Sequence, residues 1–128
     1  MSKKIVIIED EKILIELLEK KIKEEGYEVF VSLNGKEGLE LIKEVKPDLV
    51  LLDIIMPKLN GYEVMEEMNK LKEFNLKKIP VIIISNSGQS VEIERALNLG
   101  VRDYLIKAQF DPKEVIDKIK KQIGSSGY

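Results

Sequence analysis

Leu49-Val50-Leu51-Leu52-Asp53 decides the fold of this 128-residue chain. Four apolar residues without polar alternation make a strand buried on both faces, as in a parallel sheet covered by helices on either side. Two more runs of this kind occur: Ile5-Val6-Ile7-Ile8 closes on Glu9-Asp10, and Tyr104-Leu105-Ile106 closes on Lys107. In an open parallel sheet the residues just past the carboxyl ends of the strands share one crevice. The carboxylates of Glu9, Asp10 and Asp53 and the ammonium of Lys107 are therefore expected to converge. Such a cluster repels itself unless a hard cation lies among the oxygens, and two or three carboxylates with waters suit Mg²⁺. The pattern implies a metal site that handles phosphate.

Strands and helices alternate along the whole chain. Ile13, Leu14, Leu17, Leu18 and Ile22 recur at helical spacing, which predicts a helix over 11–25 with Gly26 as a left-handed cap. Tyr27 to Val31 alternates as a half-exposed edge strand, and Asn34-Gly35 opens a helix that must finish before Pro47. A helix is expected over 61–72, a strand over Pro80 to Ser85, a mobile loop at Asn86-Ser87-Gly88-Gln89, and a helix over 91–99. The fifth strand spans 103–106, and Asp111-Pro112 starts the last helix with a cap and a proline at its first position. Residues 1–123 form one domain, and the Gly- and Ser-rich residues 124–128 are expected as a flexible tail or linker stub. Right-handed crossovers place helices on both faces. The fold class is α/β: a doubly wound, flavodoxin-like, five-stranded parallel sheet, order 2-1-3-4-5, with the acidic residues at its switch point.

Composition excludes several functions. The 21 basic and 23 acidic residues interleave to a net charge of -2, so nothing offers an electrostatic grip on nucleic acid. There is no cysteine for disulfides or thiolate sites, and no histidine to act as a general base or internal phosphohistidine. No apolar stretch is long enough to span a membrane, and the strand starting a few residues after Met1 leaves no room for a signal peptide, so a cytoplasmic protein is expected.

The set Glu9-Asp10, Asp53-Ile54-Ile55-Met56-Pro57 with Gly61, Ser85, and Asp103-Tyr104-Leu105-Ile106-Lys107 resembles the receiver domains of two-component response regulators, over essentially the whole chain. The resemblance implies that Asp53 is the phosphoacceptor. It implies that Asp10, Asp53 and the backbone carbonyl of Ile55 ligate Mg²⁺ directly and Glu9 through water. Ser85 and Lys107 would bind the phosphoryl group, Ser85 and Tyr104 would carry the switch, and Ile55 and Ser87 would tune the lifetime of the acyl phosphate. The implied partners are a sensor histidine kinase or phosphotransfer protein, and a downstream protein bound through the fourth helix, fifth strand and fifth helix. The implied state is a monomer or a weak phosphorylation-dependent dimer. Such a domain catalyses its own phosphorylation and dephosphorylation only.

Read without the resemblance, each residue has a plainer role: Asp53 capping a turn, the Glu9-Asp10 pair favoured at a helix start, Ser85 in an ordinary turn, Tyr104 a fixed strand residue. Two departures from the family pattern stand out. Ala108 follows Lys107 where relatives carry proline, and Ile55 is apolar where many relatives are polar. Three alternatives remain. One is an unphosphorylated receiver-like interaction module. Another is an aspartyl-nucleophile phosphatase, whose second Asp would sit where Ile55 is. The third is a flavodoxin-like cofactor module, for which the Glu9-Asp10-Glu11 loop is too acidic.

Overall fold

The computed structural model describes residues 2–55, 58–86, 90–109 and 111–126. The elements in chain order are β1 (Lys4–Ile8), α1 (Lys12–Glu24), β2 (Glu28–Ser32), α2 (Gly35–Val45), β3 (Leu49–Asp53), α3 (Gly61–Asn69), β4 (Val81–Ser85), α4 (Ser90–Leu99), β5 (Asp103–Ile106) and α5 (Pro112–Ile123). The strands form one parallel sheet in the order β2-β1-β3-β4-β5. This is the expected topology, with β1 and β3 side by side at the switch point.

Side chains alternate across a strand, so the three central strands feed two separate cores. Val6, Ile8, Val50, Leu52, Val81 and Ile83 pack with Ile42, Met65, Met68 and Ala96 beneath α2, α3 and α4. Ile5, Ile7, Leu49, Leu51, Ile82 and Ile84 pack with Leu18, Ile22, Val115 and Ile119 beneath α1 and α5. Double burial is why these strands read as unbroken apolar runs. β5 differs from its expected full burial: it lies at the sheet edge, where only Leu105 is fully covered and its other residues are half-buried.

Local chemistry sets the helix boundaries. The Asn34 side chain accepts from Glu37 N–H at the start of α2, and Asn60 and Glu63 form a reciprocal capping box on α3. Asp111 accepts from Lys113 N–H ahead of Pro112. Gly26, at φ 92°, leaves α1 in the left-handed conformation that glycine adopts at no steric cost. The third helix is shorter than expected and stops at Asn69. The Asn69 amide donates to Leu99 O at 2.9 Å and accepts from Leu76 N–H at 3.0 Å, so its side chain ties down a turn where the helix would have continued.

The described residues after α5 make hydrogen bonds to the amino-terminal part of the chain. Tyr27 Oη–H donates to Gly124 O at 2.6 Å, Lys3 N–H donates to Ser126 Oγ at 2.8 Å, and Ser126 is buried. The Lys3 ammonium also donates to Ile123 O. Glycine and serine composition signals flexibility but says nothing about such distant partners.

Candidate functional site

Hydrogen-bond ladders run one residue past the strands and carry the reactive side chains with them. Glu9 N–H donates to Ser32 O at 3.0 Å, Ile54 N–H to Ile84 O at 3.2 Å, and Lys107 N–H to Ser85 O at 2.8 Å. Glu9, Asp53 and Lys107 continue the alternation of Ile7, Leu51 and Leu105, so all three turn toward the α1 and α5 side. Ser85 has the opposite parity and turns toward α4.

The Lys107 ammonium lies 3.0 Å from Asp53 Oδ2, 3.3 Å from Glu9 Oε2 and 3.3 Å from Glu11 Oε2. Carboxylate oxygens of Glu9, Asp10 and Asp53 approach within 4.8 Å of one another. Asp10 is exposed, whereas Asp53 is 1% and Glu9 0% exposed. Two carboxylates out of contact with water, held by one ammonium, are a strongly biased arrangement.

Glu9 has two different oxygens. Oε2 accepts from Asp10 N–H at 2.9 Å and Glu11 N–H at 3.0 Å, the first free amides before α1. Oε1 lies 3.2 Å from the Lys107 ammonium but outside hydrogen-bond geometry, and it is a buried oxygen without a hydrogen-bond donor. Burial pushes the Glu9 carboxyl up to about 7, and the charge of Asp53 adds to the rise against the lowering pull of Glu11 N–H and Lys107. Burial works against the charged form of Lys107, yet the hydrogen bond and charge of Asp53, with Glu9 behind it, hold the ammonium well above its usual range.

Asp53 Oδ1 accepts from Ile55 N–H at 3.2 Å, which turns the backbone at Ile54 and Ile55 toward the carboxylate. Gly61 makes this turn fit: a Cβ there would lie 2.6 Å from Asp53 O. Ile55 is 58% exposed at the rim. Ser85 is buried, and its Oγ–H donates to Glu92 Oε2 at 3.4 Å. Tyr104 is half-buried against the α4-side core, with the Lys118 ammonium 5.2 Å from its ring centroid. The Lys107–Ala108 peptide is trans, and Lys107 still reaches the carboxylates. Ser87, with the rest of the expected loop at 87–89 and with Met56 and Pro57, lies outside the described residues.

Two participants escaped the sequence reading. Glu11 is a third carboxylate on Lys107, and Glu92 accepts a hydrogen bond from Ser85. Each sits at the start of a helix, where an acid is favoured by the macrodipole anyway, so its type carried no distinguishing signal.

Three hard carboxylate ligands, a buried oxygen lacking a donor and an adjacent fixed ammonium fit a divalent cation bound beside an anion. A sequence model for the response regulator receiver domain matches residues 5–120. A DNA-binding response regulator of the LuxR family from Staphylococcus aureus is 32% identical, with TM-score 0.82 over 93% of this chain and 97% of that one. A CheY-like response regulator receiver domain protein from Methanospirillum hungatei is 27% identical, with TM-score 0.84 over 94% of this chain and 93% of that one. Chemotaxis protein CheY4 of Vibrio cholerae, 18% identical, shares the fold with TM-score 0.87 over 96% of this chain and all of its own.

Proposed function

Because this chain belongs to the response regulator receiver domain family of two-component systems, we propose that Asp53 accepts a phosphoryl group from a phosphohistidine on a sensor kinase or phosphotransfer protein. The observation that carries this reading is the Asp53 carboxylate, 1% exposed, held 3.0 Å from Lys107 and grouped with Glu9 and Asp10. An Asp53 oxygen attacks phosphorus, a P–O bond forms, and the P–N bond breaks with its electron pair returning to the imidazole. Lys107 moves from a purely carboxylate environment to one shared with phosphoryl oxygens, and so stays neutralised throughout. Asp10, Asp53 and the Ile55 carbonyl would hold Mg²⁺ directly, with Glu9 acting through water. When bound, the ion supplies charge that offsets the phosphoryl oxygens.

Receiver domains are signalling modules that interact with histidine kinases and downstream targets. In this chain Ser85 would draw toward the phosphoryl group and Tyr104 would repack, altering the face of α4, β5 and α5 for a downstream protein. No helix among the described residues is long and apolar enough to cross a membrane. A cytoplasmic site of action accords with this reading. Intact-mass measurement after incubation with a small acyl phosphate and Mg²⁺ tests it: one phosphoryl addition is expected, and none would overturn it.

Asp10→Ala should weaken Mg²⁺ binding more than Glu9→Ala, since a direct ligand matters more than one acting through water. Equal losses in a metal titration would reverse the assignment. Ile55 bears on hydrolysis of the acyl phosphate. Water must approach in line with the Asp53–phosphorus bond, past a bulky β-branched side chain that cannot orient it. Ile55→Asn should therefore speed dephosphorylation about tenfold, or about 1.4 kcal/mol of barrier. Decay measured after donor removal that is unchanged or slower in the variant would show that Ile55 does not set the lifetime.

A further inference from the structure

On the α4 side of the sheet the Ser85 hydroxyl donates to Glu92 Oε2 across 3.4 Å. Ser85 ends β4, one residue beyond Ile84, the cross-strand partner of Asp53. Glu92 is half-buried in the first turn of α4, and that turn is fixed from its other side. Tyr62 Oη–H donates to Glu92 O at 3.1 Å, and the Arg95 guanidinium lies 4.0 Å from the Tyr62 ring centroid. The Glu92 carboxylate is thus presented to the end of β4 by a backbone already tied to α3.

A serine hydroxyl has one proton to donate. A phosphoryl group on Asp53 would place strong acceptor oxygens, carrying about two negative charges, beside the end of β4. Phosphoryl oxygen and Glu92 would then compete for a single donor. We propose that Glu92 is a positioning residue that holds the Ser85 hydroxyl in the unphosphorylated state and releases it when Asp53 is phosphorylated. The first turn of α4 thereby reads the modification through one shared proton. The inference rests on Asp53 being the phosphoacceptor, and it predicts that Glu92 opposes the modified state.

Beryllofluoride, which adds to a carboxylate as a phosphoryl mimic, tests this by titration with Mg²⁺ present, followed through backbone amide NMR. Glu92→Ala should bind it about tenfold more tightly than the parent, because the hydroxyl no longer has to leave a charged acceptor. Glu92→Gln, which keeps a weaker acceptor, should fall between. In a Ser85→Ala background the Glu92 substitution should have no effect. Equal tightening in both backgrounds would mean that Glu92 acts by simple charge repulsion and would overturn the inference, as would unchanged or weaker binding in Glu92→Ala. Absence of binding by the parent would overturn the phosphoacceptor reading itself, a separate and recognisable failure.

Discussion

Asp53→Asn should take up no phosphoryl group from an acyl phosphate in Mg²⁺ while remaining folded. The substitution keeps the size of the side chain and an oxygen for Ile55 N–H, which lies 3.2 Å from Oδ1. It removes the carboxylate nucleophile, and an amide does not substitute for it. Folding should not suffer, because Asp53 and Glu9 repel each other in a crevice closed to water, and Lys107 keeps its contacts to Glu9 and Glu11. Intact-mass spectrometry reads the outcome directly. A phosphoryl group added to Asp53→Asn at the parent's rate would place the acceptor elsewhere, and a collapsed unfolding transition would mean that the carboxylate is structural.

Lys107→Ala should have the largest effect on stability. Lys107 is the one cation among the described residues that touches Glu9, Glu11 and Asp53, and the first and last of these acids are buried. Removing one member of a buried charge cluster leaves the others uncompensated, at a cost of about 3 kcal/mol. For a domain of this size that corresponds to a fall of roughly 10 °C in Tm. The cost should depend on pH. Glu9 already has its folded carboxyl raised to about 7, against 4.5 for the free group. A raised acid binds its proton more tightly in the folded state, so its stabilising contribution is present below the unfolded value and is lost as pH rises through the folded one. Lys107 opposes that rise, so without it the loss continues to higher pH. Thermal unfolding in EDTA should show a wider gap between parent and variant at pH 8 than at pH 5, and millimolar Mg²⁺ should narrow it. A gap within about 1 kcal/mol at pH 8 would show that the cluster is not held in this way. Metal affinity itself should be unchanged or higher in the variant, because a competing positive charge is gone.

The parts of the molecule legible in the sequence are those where burial and chemistry act along the chain. Ile5 to Ile8 and Leu49 to Leu52 read as central strands because both faces are covered, and the charged residue after each run is conspicuous against it. Caps at Asn34 and Asp111 act within two or three residues and are equally visible. The illegible parts depend on partners distant in sequence. Asn69 ends α3 early through Leu99, Ser126 is held by Lys3, and Glu92 finds Ser85 only once the fold has formed. The order 2-1-3-4-5 puts β5 at an edge, yet its apolar run reads as buried on both faces, because composition alone does not register the neighbour missing on one side.

The anchoring of Ser126 to Lys3 also bears on how the molecule can be re-cut. Residues 3 and 126 are neighbours in space, so a short glycine-rich bridge could join the two ends. New ends could open between Lys72 and Glu73, both exposed in the turn between α3 and β4. Such a circular permutant would be synthesised starting from β4, with β3 and its Asp53 the last strand to arrive, and none of the residues at the crevice would lie at either junction. If it assembles the same acidic crevice, the site belongs to the closed sheet and not to the order in which the ribosome delivers its strands.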